Sequence, residues 1–306
     1  MQRLVPNDPR RRFPIPISAV DDLLPPVRAA LIQPASTSQR IIRIPPGAYP
    51  IRRSAWLFEL SFGWRRTPER FLGFGDDCLT IAEINDDGKV SAAQIPLACL
   101  LEIHMETVLL YSSLEFVWMQ GKHIETKKIE YNTVGETLIR RQIDRTRAAC
   151  PTMLAPIPVP PREETLAPLP LKFRNYLRSC LLPGEPLHAA VFQPAIRQTA
   201  GTFRPYISPN RAIGITERFV ILVEDRQVLR RGERSAERDY AMIEHFYPLQ
   251  HIEHITLDTT PDVSWLRLHY AQHVQHGGGA DVGIPLLPAH AGLLLDALQP
   301  ATELAC

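Results

Sequence analysis

Long hydrophobic runs are missing from this 306-residue chain. The most apolar stretch, Val108 to Met119, is interrupted by Ser112, Ser113 and Glu115, and falls short of the roughly 20 apolar residues a spanning helix needs. No transmembrane segment is therefore expected. Arg10, Arg11 and Arg12 stand near the start, but Phe13-Pro14-Ile15-Pro16 follows, and its prolines break the apolar region that a secretory signal requires. An excess of one charge is also lacking. With 34 basic against 33 acidic residues, no global field draws the protein to nucleic acid, and no nucleic-acid partner is expected. Lysine is scarce: Lys89, Lys122, Lys127, Lys128 and Lys172 are the five, so arginine carries nearly all the positive charge. Cys78, Cys99, Cys150, Cys180 and Cys306 form no Cys-x-x-Cys pair and are odd in number, which reads as reduced thiols in a cytoplasmic protein. Finally, there is no Gly-x-Ser-x-Gly elbow, no His-Glu-x-x-His, no Walker loop and no dinucleotide fingerprint. These absences argue against an enzyme of those classes, and no catalytic residue or cofactor is assigned.

What is present is ordinary globular material: 45% hydrophobic and 22% charged residues, enough to bury a core. Residues 1–17, with their arginines and prolines, read as a disordered tail. Seven prolines between Pro151 and Pro170 fix φ and disfavour helix before them, so 151–170 reads as a stiff extended linker. The two flanks, 18–150 and 171–300, echo each other, and residues 301–306 are left as a tail. Thr67-Pro-Glu-Arg70-Phe71 is answered by Thr216-Glu-Arg218-Phe219. Ile95-Pro96-Leu97 through Ile103 aligns without gaps on Tyr247-Pro248-Leu249 through Ile255. Leu114, Phe116 and Trp118 correspond to Leu266, Leu268 and Tyr270, each trio alternating on one strand face.

Each copy then closes with a helix. The first begins at Thr133-Val-Gly-Glu136, which has capping-box spacing, with Val134, Leu138, Ile139 and Ile143 as its apolar stripe. The second follows Pro288 and carries Leu293, Leu294, Leu295 and Leu298. Phe173, Tyr176, Leu177 and Cys180 predict a further helix ahead of the second copy, and Val27 to Ile32 a shorter one in the first. The fold class expected is mainly β.

The run Leu181-Leu-Pro-Gly184-Glu185-Pro-Leu-His-Ala-Ala-Val, then Thr216-Glu-Arg218-Phe219, then Tyr247-Pro248-Leu249, then a final helix, resembles bacterial pleckstrin-homology-like and GRAM-type domains. The resemblance covers 171–299 and, more loosely, 20–148. It implies two bent antiparallel sandwiches of about seven strands, each plugged by its C-terminal helix. It also implies binding of a protein partner or of anionic lipid, without catalysis.

Four arginines, Arg52, Arg53, Arg65 and Arg66, are the nearest equivalents of the family's lipid-binding cluster, and guanidinium groups chelate oxyanions. The commoner fate of such a set is a solvated hairpin surface. Trp56, Phe58, Phe62 and Trp64 put four aromatics on one strand face, either as core or as a docking surface for a partner. His269, His273 and His276 could hold zinc on a helix, but Trp265 to Tyr270 alternates as a strand, which separates them. Asn85-Asp86-Asp87-Gly88 reads as a hairpin turn, and Cys99 as an inert buried strand thiol. Three functions remain open: a cytoplasmic scaffold for a protein partner, a membrane-associated reader of anionic lipid, and a metal-dependent enzyme using the histidine-rich second copy.

Overall fold

The computed structural model describes residues 12–31, 40–55, 58–108, 111–154, 159–197, 206–225, 242–260, 263–270 and 281–303, with the side chains of 49–64, 197, 206 and 299–303 outside that description. The chain is mainly β, with several antiparallel sheets, none closed. No helix among the described residues is long and apolar enough to cross a membrane.

The first half opens with β1 (Ile15–Ile17) and α1 (Pro25–Leu31), whose two leading prolines suit a first helical turn. β2 (Arg40–Ile44) follows, then the hairpin β3 (Gly47–Ala55) and β4 (Phe58–Thr67), then β5 (Glu69–Phe74), β6 (Cys78–Ile84) and β7 (Val90–Pro96). A 3-10 turn, Leu97–Cys99, leads to β8 (Leu100–Thr107), β9 (Tyr111–Gln120), β10 (His123–Asn132) and α2 (Glu136–Ala149). The second half starts from α3 (Arg162–Leu166) and α4 (Leu171–Cys180). It continues through β11 (Leu187–Gln193), β12 (Ile196–Arg197), β13 (Tyr206–Ser208), β14 (Arg211–Thr216), β15 (Phe219–Asp225) and β16 (Met242–Pro248). A 3-10 turn, Leu249–His251, then precedes β17 (Ile252–Thr259), β18 (Ser264–Tyr270), β19 (Asp281–Leu286) and α5 (Pro288–Glu303).

The order helix, strand, hairpin, three strands, 3-10 turn, three strands, helix thus runs twice, and the register repeats with it. Cys78 stands opposite Pro96 as Phe219 stands opposite Pro248. Leu97 N–H donates to Asp77 O at 2.9 Å, and Leu249 N–H to Arg218 O at 2.8 Å. Both following strand pairs bulge at the same step, Leu100/Glu102 and Ile252/His254. The proline fixes the chain just ahead of each 3-10 turn. The aligned Pro-Leu segments therefore match as expected, whereas the Thr67 and Thr216 segments are one strand out of phase: Phe71 lies on β5, but Phe219 on β15 takes the place of Cys78 on β6.

The halves share backbone. The seven-stranded sheet runs β10-β9-β8-β16-β15-β14-β11, because β8 pairs antiparallel with β16, Ile103 opposite Phe246 and Thr107 opposite Met242. A five-stranded sheet, β1-β2-β5-β6-β7, the three strands β17-β18-β19 and the two-stranded pairs β3-β4 and β12-β13 make up the rest of the two halves. One core continues through both: Leu72, Ile81, Phe116, Ile139 and Ile143 of the first half join Leu177, Phe219, Ile221 and Phe246 of the second. A second core lies under α5, where Leu294 and Leu298 meet Ile213, Leu222, Leu266 and Leu268.

Several local expectations change. Residues 15–17 pair with β2, with Ile17 against Ile41, so this part of the supposed tail belongs to a sheet; residues 1–11 lie outside the described residues. Within 151–170 the chain forms α3 and buries Leu154, Leu166 and Leu169, since apolar leucines between the prolines outweigh their stiffness. The 3-10 turn Thr133–Gly135 that leads into α2 is capped by Asn132, whose side chain accepts from Val134 N–H at 3.0 Å, while Thr133 Oγ1 donates to Val108 O. Val134 is 71% exposed and outside the apolar stripe. Cys99 lies in the 3-10 turn, half-buried. The turn at Asn85 to Gly88 forms as expected, closed by Gly88 N–H to Asn85 O at 2.8 Å, with Gly88 at φ +77°.

Candidate functional site

The arginines named from the sequence sit on the β3–β4 hairpin. Arg65 faces Tyr49 and Arg66 faces Ala48 across the pair, and Arg52 and Arg53 lie opposite Ser61 and Leu60. Neighbours along a strand point to opposite faces, so Arg65 and Arg66 do not converge. Arg65 is tied to Glu130 of β10, and Arg66 is exposed. The side chains of Arg52, Arg53 and Phe58, and all of Trp56, His273 and His276, lie outside the described residues. His269 stacks on His254 with ring centroids 4.1 Å apart, and both its nitrogens are engaged, Nδ1 with Asp281 at 3.0 Å and Nε2 with Thr256 Oγ1 at 2.7 Å.

Two constellations instead arise where the halves meet. The first is an open groove of about 740 Å³, walled on one side by Thr137, Arg140, Arg141, Asp144, Arg145 and Ala148 of α2. Spacings of three and four bring these onto one helical face. The other wall is the turn Leu182–Glu185 after α4, together with Glu217 and Arg218 between β14 and β15. That turn is fixed: Gly184 takes φ +75°, Glu185 Oε2 accepts from Leu182 N–H at 2.9 Å, and Arg162 donates to Leu182 O and Glu185 O. Four arginines face three carboxyls here. Arg140 is held by Glu244, and Arg218 by Glu217 and by Cys150 O at 3.0 Å. Arg145, exposed, bonds only the neutral Gln142 at 3.1 Å, and exposed Arg141 has no partner among the described residues. The groove therefore offers two guanidinium groups to which no carboxylate is attached among the described residues.

Beneath it lies Arg147, fully buried, its guanidinium 4.0 Å from the Phe246 ring centroid and 5.1 Å from that of Phe219. It reaches Asp144 at 3.2 Å and Glu185 at 3.8 Å. Burial raises the Asp144 carboxyl above its usual range despite the pull of Arg147 and Arg140. A cation under two aromatic faces, with carboxyls from both halves, joins the halves electrostatically as well as by backbone.

The second constellation is on the seam itself. Glu102 and His104 of β8 and His245 of β16 bring one donor atom each within 4.8 Å of the others. His104 stands directly opposite His245, with ring centroids 4.5 Å apart. His245 Nδ1 lies 2.7 Å from Glu102 Oε1 and 3.4 Å from Tyr247 Oη. His104 Nδ1 is 4.0 Å from Glu115 Oε2, and its Nε2 is buried without a hydrogen-bond partner. Burial, reinforced by the neighbouring His245, lowers the His104 pKa to about 4, so its imidazole is neutral at pH 7.

Neither constellation was recognised from sequence. Arg147 continues the stripe Ile139, Ile143 at intervals of four, a signal that was available. Glu102, His104 and Glu106 alternate along β8, and what brings His104 to His245 is the pairing of β8 with β16, which no local pattern signals. Compared with family models, curated proteins and solved structures, the chain has no match.

Proposed function

We propose that this protein is a non-catalytic, cytoplasmic scaffold made of two pleckstrin-homology-like modules, and that it holds an acidic segment of a protein partner in the groove between α2 and the turn Leu182–Glu185. The module reading is supported by the doubled element order, with a helix, six strands, a 3-10 turn, three strands and a closing helix in each half. The observation that carries the binding reading is the pair Arg141 and Arg145, exposed on a groove that both halves build and without a carboxylate partner among the described residues. Guanidinium forks accept carboxylates in two-pronged fashion, which gives an acidic peptide orientation as well as affinity. The fixed turn keeps the opposite wall in place before binding, which limits the ordering cost.

Fluorescence anisotropy with a labelled glutamate-rich peptide tests this. Binding that weakens roughly tenfold in Arg141→Glu/Arg145→Glu is expected, since two like charges then face the ligand. Absence of binding, or binding indifferent to the double substitution, would refute the groove. Co-sedimentation with phosphatidylserine vesicles is the second arm. Vesicle binding lost in Arg66→Glu and retained in the groove variant would move the site to the β3–β4 hairpin and make lipid the ligand.

A further inference from the structure

We propose that Glu102, His104 and His245 form a binding site for one divalent transition-metal ion of the zinc type, placed so that the ion clips the first half of the chain to the second. The site is independent of the groove. It stands on the β8–β16 pairing, which sets His104 opposite His245 and brings Glu102, two residues before His104, to the same pair of rings.

Three observations point to an ion. The donor atoms already lie within 4.8 Å of one another, and a tetrahedral ion with bonds of about 2.1 Å would draw them to roughly 3.4 Å, a change that side-chain rotation supplies. His104 Nε2 is buried and has no hydrogen-bond partner among the described residues, an unmet polar capacity that a metal ion would satisfy. On the opposite side of that ring, Glu115 Oε2 is 4.0 Å from Nδ1, beyond hydrogen-bond distance, so it places negative charge near the ring without fixing it. His245 Nδ1 and Glu102 Oε1 lie in hydrogen-bond contact at 2.7 Å, a contact that an ion would replace.

Two imidazoles and one carboxylate suit zinc, copper or nickel rather than magnesium or calcium, which prefer all-oxygen sets. Three protein donors leave the fourth position to water, so the ion would exchange with solvent. The stacked pair His254 and His269 gives an internal comparison, because both nitrogens of His269 are already bonded to protein.

The test uses the full chain, stripped with chelator and titrated with zinc chloride by calorimetry and by thermal unfolding. Zinc at a hundredfold excess over its Kd should raise Tm by roughly 4 °C, and magnesium should not. Cobalt substitution should give the visible absorption of a nitrogen–oxygen site. Glu102→Gln keeps the side-chain shape and is expected to weaken zinc binding by roughly tenfold or more, His104→Gln/His245→Gln to abolish the stabilisation, and His269→Gln to leave it intact. If the double variant does not fold, Glu102→Gln alone decides. The proposal is overturned if zinc fails to stabilise the wild type, or if stabilisation survives unchanged in Glu102→Gln or the double variant.

Discussion

Glu83 on β6 accepts from Arg70 Nε at 2.6 Å across the β5–β6 pair and from Lys127 on β10, so one carboxylate ties the five-stranded sheet to the seven-stranded one. Burial pushes this carboxyl up, yet the hydrogen bonds from Lys127 and Arg70 outweigh it and hold the pKa below the ordinary glutamate range. A depressed carboxyl contributes stability that is fully present above the unfolded value and is lost as pH falls through the folded one. Glu83→Gln should therefore cost about 3 kcal/mol at pH 7, because Arg70 is left buried with its charge unanswered. The gap should shrink as pH falls from 7 towards 3, because protonation of the wild-type carboxyl takes away the charge that Arg70 and Lys127 hold. Urea unfolding at both pH values measures the difference; an equal gap at pH 7 and pH 3 would remove Glu83 from the acid response.

The chain packs closely on itself just ahead of α2. A Cβ on Gly135 would lie 2.3 Å from Pro14 Cγ and 2.6 Å from its Cδ, atoms of a rigid ring. Gly135 itself has φ −83°, which any residue adopts, so the glycine is required by space rather than by backbone conformation. Gly135→Ala should push Pro14 away, loosen β1 from β2 and lower stability by about 1–3 kcal/mol. Limited proteolysis near residue 14 would report the loosening, and an unchanged cleavage pattern with unchanged stability would show that the ring yields freely. Legibility divides along the same lines. α4, α5 and the Pro-Leu turns were readable because their causes are local: spacings of three and four, or a proline fixing φ one residue before the 3-10 turn. β1 was not, since Ile15-Pro16-Ile17 has too little pattern to outweigh its prolines. Glu102, His104 and His245 were hidden for a different reason. Their meeting is caused by a partner strand about 140 residues away in the chain, and no window of local sequence contains that partner.

For the whole molecule, the shared sheet and the shared core decide how it unfolds. Two modules on a flexible linker would melt separately, whereas here Phe219, Ile221 and Phe246 of the second half lie in the same core as Phe116, Ile139 and Ile143 of the first. Parting them would expose that core, the β8 and β16 edges and the fully buried Arg147 together. A single calorimetric transition is expected, with far- and near-ultraviolet circular dichroism coinciding through urea unfolding. Two resolved transitions would show that the seam is weaker than either half.

The β8–β16 seam also bears on assembly during refolding. Its hydrogen bonds specify only that one strand of each kind be present, not that both come from the same polypeptide. Concentrated protein refolding from denaturant can satisfy the ladder reciprocally, each chain lending its second half to the other, and the result is an exchanged dimer with the monomer's own contacts. Size exclusion after refolding at rising protein concentration should show that dimer growing at the expense of monomer. Dilute refolding should suppress it, because the intrachain partner then arrives first.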